Sequence, residues 1–155
     1  MAAVSTDRIQ KETILKAPRS RVWDFLGNAE EFGKWFGVEF AGQQFTPGGK
    51  IAGRFTDPDM ADGMLEAIVE EVVPRERLTF RWSPGKMEPD AEHPEEQTTL
   101  VVFELTDVSD GTMVRVTESG FDGISLARRA ELYQSHVEGW EIQLKAFGEY
   151  VRARI

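Results

Sequence analysis

The sequence predicts an α+β domain in which a curved antiparallel sheet wraps around one long C-terminal helix. From Gly37 to Ser119 the chain alternates apolar and polar residues in short runs joined by turns, the pattern of strands. From about Ser125 to Arg152 the apolar residues instead recur with the period of an α-helix. With 155 residues, 41% of them hydrophobic, the chain has the length and core material of a single domain, 1–155.

The N-terminal part predicts one strand and two short helices. Residues 8–16 mix Ile and Thr with charged residues and end shortly before Pro18, as expected for a strand that leads into a helix start. The first helix, RSRVWDFL, ends at a glycine. Asn28 then opens the second helix, with Glu31 three positions later in a variant of the capping box. Residues 1–7 are expected to be flexible.

The central part predicts an antiparallel meander. Its spacers are too short for the crossovers that parallel strands need. Leu78, Phe80 and Trp82 share one face of their run, which therefore has a buried side. Residues 83–97 are rich in proline and acidic residues without periodicity, which predicts an exposed acidic loop. The predicted strands are KIAGRF, MLEAIVEEVV, RLTFRW, TTLVVFELTDV and TMVRVTES.

The C-terminal helix carries its apolar residues in one stripe. His136 lies at the edge of that stripe, one turn before Trp140. Gly139 in a helix interior costs about 1 kcal/mol relative to alanine, and we expect close packing of a neighbouring backbone against Gly139 and Ala146 to explain it. The stripe comprises Leu126, Tyr133, Val137, Trp140, Leu144, Phe147 and Val151.

Composition excludes several classes of function. The net charge of −9, from 27 acidic and 18 basic residues, opposes binding to nucleic acids and to anionic membrane surfaces. No run approaches the roughly 18 apolar residues of a membrane span, so we expect no membrane insertion and, by default, a cytoplasmic location. The absence of cysteine removes disulfides, thiolate nucleophiles and Cys-ligated metals. No cofactor is predicted.

A resemblance to a known family is carried by five segments, which are, in order, APRSRVWDFL, KWFG, the pair GG between Phe45 and Phe55, PRERLTFRW and HVEGWEIQLKAFGEYV. Together they resemble the activator of heat-shock protein 90 ATPase homologue-like domains of the START and polyketide-cyclase (SRPBCC) superfamily. The resemblance extends from about Arg8 to Val151 and implies the helix-grip fold. It implies no single activity, because members include binders of lipids and hormones, cyclases, hydrolases and co-chaperone domains.

The leading candidate site is an apolar cavity between the sheet and the C-terminal helix. An empty cavity of about 300 Å³ would cost on the order of 7 kcal/mol, comparable to the stability of a whole domain. A cavity of that size should therefore be wet, collapsed or occupied. The alternative is that the aromatic side chains fill the core. The candidate lining residues are Trp35, Phe36, Phe45, Phe55, Met64, Phe80, Trp82, Phe103, Phe121, His136 and Trp140.

His136 is the second candidate. Its imidazole is suited to a polar anchor at an apolar wall, or to a general acid or base near neutral pH. The alternative is a half-buried helix histidine bonded to a neighbouring strand or to water. His93 falls in the acidic loop and is expected to be solvated.

Carboxylates form a third group of candidates. Glu66 with Glu104 or Glu118 is a candidate acid and base pair on the strands, but alternation in the sequence does not tell which of them faces inward. We therefore name no catalytic residue.

Two loops invite comparison with known binding motifs and fail it. In TDPDMADG the residues Asp57, Asp59 and Asp62 do not have the spacing of a calcium loop, so no metal site is predicted. FTPGGKI lacks the spacing of a phosphate-binding loop and reads as a turn between strands.

Three functions remain open at this point. The leading hypothesis is binding of a small lipophilic or aromatic molecule, with His136 as a polar anchor. The second is an enzyme, cyclase-like or hydrolase-like, acting on a cyclic or aromatic substrate. The third is a module that contacts a chaperone. The chain is compatible with a monomer or a homodimer.

Overall fold

A computed structural model describes residues 7–57, 63–82, 98–124 and 126–155. The loop predicted at 83–97, and the N-terminal residues 1–6, lie outside this part of the chain. The elements are β1 (Arg8–Leu15), α1 (Arg19–Leu26), α2 (Ala29–Phe36), β2 (Lys50–Arg54), β3 (Met64–Val73), β4 (Arg77–Trp82), β5 (Thr99–Val108), β6 (Gly111–Ser119), a short 3-10 turn (Phe121–Gly123) and α3 (Leu126–Arg152).

The strands form one six-stranded sheet in the order β1-β6-β5-β4-β3-β2, with every neighbouring pair antiparallel. Strands β2 to β6 are a meander, and β1 pairs with β6 at the far edge. The two short helices follow β1, and the long helix α3 packs on the sheet. The predicted α+β architecture is confirmed, and so is the helix-grip arrangement that the resemblance implied. Within the described ranges, no helix has both the length and the apolar character needed to cross a membrane.

The ends of α2 are determined by local chemistry. The side chain of Asn28 accepts a hydrogen bond from the Glu31 amide at 3.1 Å, which confirms the predicted cap. At the other end Gly37 adopts a left-handed conformation, with φ of 87°, and its N–H donates to Gly33. The chain therefore turns sharply after Phe36 and leaves the aromatic face of α2 against the sheet.

The outer edge of β2 is covered by a side chain at Ala52 and by backbone at Arg54, whose carbonyl accepts a hydrogen bond from the Glu39 N–H at 2.9 Å. The amide nitrogen of Gln43 donates to the Ala52 carbonyl at 2.6 Å, and the Ala52 N–H donates to the Gln43 side-chain oxygen at 3.1 Å. This pair of hydrogen bonds reproduces those of a neighbouring strand, so the backbone at Ala52 is satisfied although it lies at a sheet edge.

The core is centred on Phe32 of α2. Its ring centroid lies between 4.6 and 6.4 Å from six other aromatic rings. Most of these contacts are tilted or edge-to-face, the arrangements that the ring quadrupole favours. The six rings are those of Trp35, Phe36, Phe40, Phe45, Phe80 and Phe103.

Two glycines inside helices, Gly33 and Gly139, differ in the room that they leave for a side chain. A Cβ at Gly33 would lie 2.2 Å from the Val38 carbonyl oxygen, whereas a Cβ at Gly139 would have no described atom within 4 Å. The expected packing of a neighbouring backbone against Gly139 is therefore wrong for the described part of the chain. Helical periodicity predicts on which flank of the helix Gly139 lies, but it does not predict which neighbouring segment, if any, packs against that flank.

We predict that Gly33→Ala lowers the free energy of unfolding by about 1 to 3 kcal/mol, because the added methyl group overpacks a buried contact. The matched variant Gly139→Ala should raise it by up to about 1 kcal/mol, because alanine is the better helix former and meets no described atom. Urea denaturation of both variants measures the difference. Equal effects at the two positions would contradict the packing described here.

Candidate functional site

One acidic side chain points into the apolar interior. Glu118, at the end of β6, follows Val114 and Val116 on the inward face of the strand and has no solvent exposure. It is the only fully buried carboxylate in the described parts of the chain. An ion taken out of water at such a position needs compensating hydrogen bonds, since its desolvation costs several kcal/mol.

Four donors surround this carboxylate. One oxygen of Glu118 lies 2.6 Å from His136 Nδ1 and 2.8 Å from Trp140 Nε1. The other lies 2.9 Å from Trp82 Nε1 and 2.5 Å from the Thr99 hydroxyl. We refer to these five residues as the Glu118 network. Because its members come from β4, β5, β6 and α3, the network ties the end of the sheet to the long helix.

The local structure explains why these side chains meet. Trp82 is the last residue of β4 and Thr99 the first of β5, and the two are directly opposite in the register of the pair. On α3, His136 and Trp140 are separated by one helical turn, so both side chains reach the same region of the sheet. The network therefore follows from strand register on one side and helical spacing on the other.

The electrostatics of the network favour an ionised Glu118. Burial alone raises the pKa of this carboxyl group. The hydrogen bond and the charge of His136, with the hydrogen bonds from Thr99 and Trp82, outweigh burial and hold the pKa of Glu118 below its ordinary value. Since an ionised carboxylate only accepts hydrogen bonds, Nδ1 of His136 carries the proton that the two groups share.

The carboxylate pairs considered from the sequence are not brought together. Glu66 lies on the outer face of the sheet, where it is 55% exposed and 3.3 Å from the Lys50 ammonium group. Glu104 is half-buried and stands opposite Arg77 and Arg115 in the two neighbouring strands. Because only Glu118 of the three points inward, the pairing of Glu66 with Glu104 or Glu118 as acid and base is wrong.

His136 occupies the position that its helical spacing predicted, at the edge of the buried stripe. Its side chain is 15% exposed and is bonded to a strand residue, Glu118. This was the alternative to a binding role when the sequence alone was considered, and the structure identifies the partner. The bond also fixes the ring orientation of His136, which a polar anchor requires.

Most of the candidate lining residues belong to one continuous group of rings. Trp82 stacks on Trp140 with centroids 5.7 Å apart and planes 23° apart. The ring centroid of Phe36 lies 5.8 Å from that of Trp82 and 6.1 Å from that of Trp140. Trp35, Phe36, Phe80, Phe103, Phe121 and Trp140 are buried, whereas Phe45, Phe55, Trp82 and His136 are half-buried.

Met64 is placed differently from the other candidates. It is 54% exposed at the start of β3, where the neighbouring Leu65 takes the inward position. The alternation of β3 thus directs the Met64 side chain away from the group of rings.

Beneath α2 the rings fill the space that separates helix and sheet. The cavity there has a volume of about 10 Å³, room for at most one water molecule. Aromatic packing thus consolidates the core at this place, and a ligand-sized space is not found there. The cavity is lined by Phe32, Phe40, Phe45, Ile51, Leu65, Ala67 and Phe80.

The packing of α3 differs between its two halves. From Trp140 onward the inward residues are buried, namely Trp140, Leu144, Phe147, Tyr150 and Val151. Before Trp140 the corresponding residues are only half-buried, namely Leu132, Tyr133, His136 and Val137. We call these four residues the loosely packed end of α3. The Glu118 network lies at the boundary between the two halves.

The hydrogen bonds of the Glu118 network occupy the oxygen atoms with which the carboxylate would bind a metal or a ligand directly. Across the ranges that the structure describes, no three His, Asp or Glu side chains are grouped as metal ligands would be. Both oxygens of Glu118 already have two donors each. A molecule bound beside the network would therefore contact the rings and His136 rather than Glu118 itself.

Sheet, helices and buried network together define a helix-grip domain. The chain belongs to the family described as activator of Hsp90 ATPase homolog 1-like protein, whose sequence pattern matches residues 16–152. No curated protein matches the chain.

Solved structures share the fold. Protein NE0264 from Nitrosomonas europaea superimposes with a TM-score of 0.74 at 19% identity over 100% of both chains. Protein MLL2253 from Mesorhizobium loti has a TM-score of 0.73 at 18% identity, covering 96% of this chain and 98% of its own. DynU16, of the dynemicin biosynthetic locus, has a TM-score of 0.70 at 25% identity, and the match covers 94% of this chain but 47% of DynU16.

We predict that Glu118→Gln lowers the free energy of unfolding by about 2 kcal/mol or more. The glutamine amide places N–H groups where one carboxylate oxygen stood, and an indole N–H is then left buried without an acceptor. Glu66→Gln, on the outer face, is the matched control and should change stability by less than about 0.5 kcal/mol. Chemical denaturation of the two variants checks the contrast.

The network also predicts a particular response to acid. Because the pKa of Glu118 lies below its unfolded value of about 4.3, its ionised form stabilises the fold at neutral pH. This stabilisation is lost as the pH falls through the folded pKa. The stability difference between wild type and Glu118→Gln should therefore narrow as the pH falls below about 4.3. Glu31, whose pKa is lowered chiefly by the Tyr150 hydroxyl, acts equally in both proteins. A constant difference would contradict an ionised Glu118.

Proposed function

We propose that the protein binds a small lipophilic or aromatic molecule between the sheet and the loosely packed end of α3. The change of burial along α3 is the observation that carries this proposal. The apolar stripe continues on the N-terminal side of Trp140, yet its side chains there are only half-buried. Covering partly exposed apolar surface with an apolar molecule lowers the free energy, because it removes that surface from water.

The side chains at this end suit an aromatic molecule. The indole N–H groups of Trp82 and Trp140 are both committed to Glu118. Trp140 is buried, so it is the half-buried Trp82, stacked on it, that offers a ligand ring surface rather than a hydrogen bond. Aromatic pairs contribute about 0.5 to 1.5 kcal/mol beyond the area that they bury, so a planar ring gains more here than a branched aliphatic group of equal size.

Charge narrows the ligand class further. The net charge of the chain, −9, disfavours an anionic ligand. His136 supplies the polar edge of the site, because Glu118 holds its ring in a fixed orientation. The proposed ligand is thus a neutral, mainly apolar molecule with aromatic character.

We predict that prodan, a neutral naphthalene fluorophore, binds with one molecule per chain and raises the melting temperature. The stabilisation should approach about 2.7 kcal/mol at one hundred times Kd. Fluorescence titration, thermal unfolding and native mass spectrometry measure binding independently. If prodan and a wider panel of lipophilic molecules leave the melting temperature unchanged and only bare protein is detected, the proposal fails.

Two half-buried tryptophans provide a matched pair of variants. Trp82→Leu removes a ring of the proposed site and should weaken prodan binding by up to roughly tenfold, since an aromatic pair contributes about 0.5 to 1.5 kcal/mol beyond the area that it buries. Trp23→Leu, in α1, should leave the Kd unchanged. Trp82→Phe keeps a ring without the N–H group and separates the loss of stacking from the loss of the Glu118 hydrogen bond. Circular dichroism establishes that each variant is folded.

The bond between Glu118 and His136 favours a second candidate function, acid–base catalysis on a cyclic or aromatic substrate. A carboxylate that holds an imidazole by Nδ1 stabilises its protonated form, as in acid–base pairs of enzymes. Aromatic esters such as para-nitrophenyl acetate are suitable probes. A bell-shaped pH profile that His136→Gln abolishes would support catalysis, and undiminished turnover in that variant would remove His136 from any mechanism.

A further inference from the structure

We infer that Gly139 makes the site select ligands by shape. A flat molecule lies against the bare backbone of α3, whereas a globular molecule of similar size does not. This inference rests on the proposed function and adds a specificity-determining residue to it.

The first observation is that the fold itself does not require this glycine. Gly139 lies inside the 27-residue helix α3, where its backbone does not have the positive φ found at Gly37. A Cβ added to it would meet no described atom within 4 Å. By contrast, a Cβ at Gly33 or Gly53 would lie 2.2 Å from a backbone carbonyl oxygen. Those two glycines are explained by packing, and Gly139 is not.

The second observation is the position of Gly139 relative to the rings. Gln143, one turn further along the same flank of α3, donates from its side chain to the Phe36 carbonyl at 3.3 Å. Gly139 is thus displaced by one turn beyond the end of α2, towards the loosely packed end. It is half-buried, adjacent to Trp140 and three residues from His136. The space beside it therefore borders the proposed binding site.

The chemistry of this flank favours a planar occupant. Glycine is the residue that lets a ligand approach a backbone closely. The half-buried ring of Trp82, whose centroid lies 5.8 Å from that of Phe36 and 5.7 Å from that of Trp140, presents a surface on which a flat molecule packs with little lost contact. A branched or globular molecule keeps part of its surface away from both the helix and the rings. The class of ligand is therefore a neutral fused aromatic.

The experiment compares naphthol with adamantanol, which have equal numbers of carbon atoms and one hydroxyl each, as competitors of prodan. Wild-type protein should bind naphthol at least roughly tenfold more tightly, the discrimination expected when a few methylene-sized contacts are lost. Gly139→Leu should weaken naphthol binding roughly tenfold or more. Its melting temperature should be equal or higher, because leucine is the better helix former. Glu138→Leu, on the exposed neighbouring position, is the matched control and should bind as wild type does.

Each outcome has a distinct meaning. If wild type binds neither prodan nor naphthol, the proposed function fails. If wild type binds them and Gly139→Leu binds them equally well with a normal melting temperature, the site exists and the role of Gly139 is overturned. If wild type binds naphthol and adamantanol alike, the preference for a flat ligand is overturned. Tighter naphthol binding by wild type than by Gly139→Leu, with Glu138→Leu unchanged, supports the inference.

Discussion

A negative charge inside an aromatic core is the constraint on which the arrangement of this protein depends. Glu118 is tolerated because four donors from three other elements meet its two oxygens. Those donors also fix the stack of Trp82 on Trp140 and the orientation of the His136 ring. The register of β4 and β5 and the rotation of α3 about its axis are thereby coupled. A shift of either element would leave a buried charge or an indole N–H without a partner.

Local patterns were sufficient to predict the fold. Asn28 and Glu31 predict the start of α2, and strict alternation predicts the strands. Both signals are visible in the sequence because each involves residues only a few positions apart. The network was not predicted, since its donors lie between 18 and 36 residues from Glu118 along the chain. One signal was present: Val114, Val116 and Glu118 alternate on one face, which places the acid with the inward residues. Periodicity could not supply its partners, nor show that the flank of Gly139 is open.

If the protein binds a ligand as proposed, the two halves of α3 have different roles. Around Phe147 and Tyr150 the helix is buried against α2 and the sheet, and Tyr150 binds Glu31 at 2.6 Å. This half can hold the helix in place even if the other half exchanges contacts with a ligand. Loosely packed segments have lower local stability, and ligand sites are commonly drawn from them. The proposed site therefore lies where a change of contacts costs the fold least.

The amide of Gln43 on the edge of β2 has a consequence for self-association. A sheet edge is where a strand of another molecule adds most easily. The N–H and C=O groups of Ala52 are protected from this by two hydrogen bonds to one uncharged side chain. Loss of that side chain would leave the N–H and C=O groups of Ala52 free to pair with another copy of the chain, while the edge at Arg54 stays covered by Glu39. We therefore expect self-association at high concentration to increase when Gln43 is replaced, and variants designed to alter binding should leave this residue unchanged.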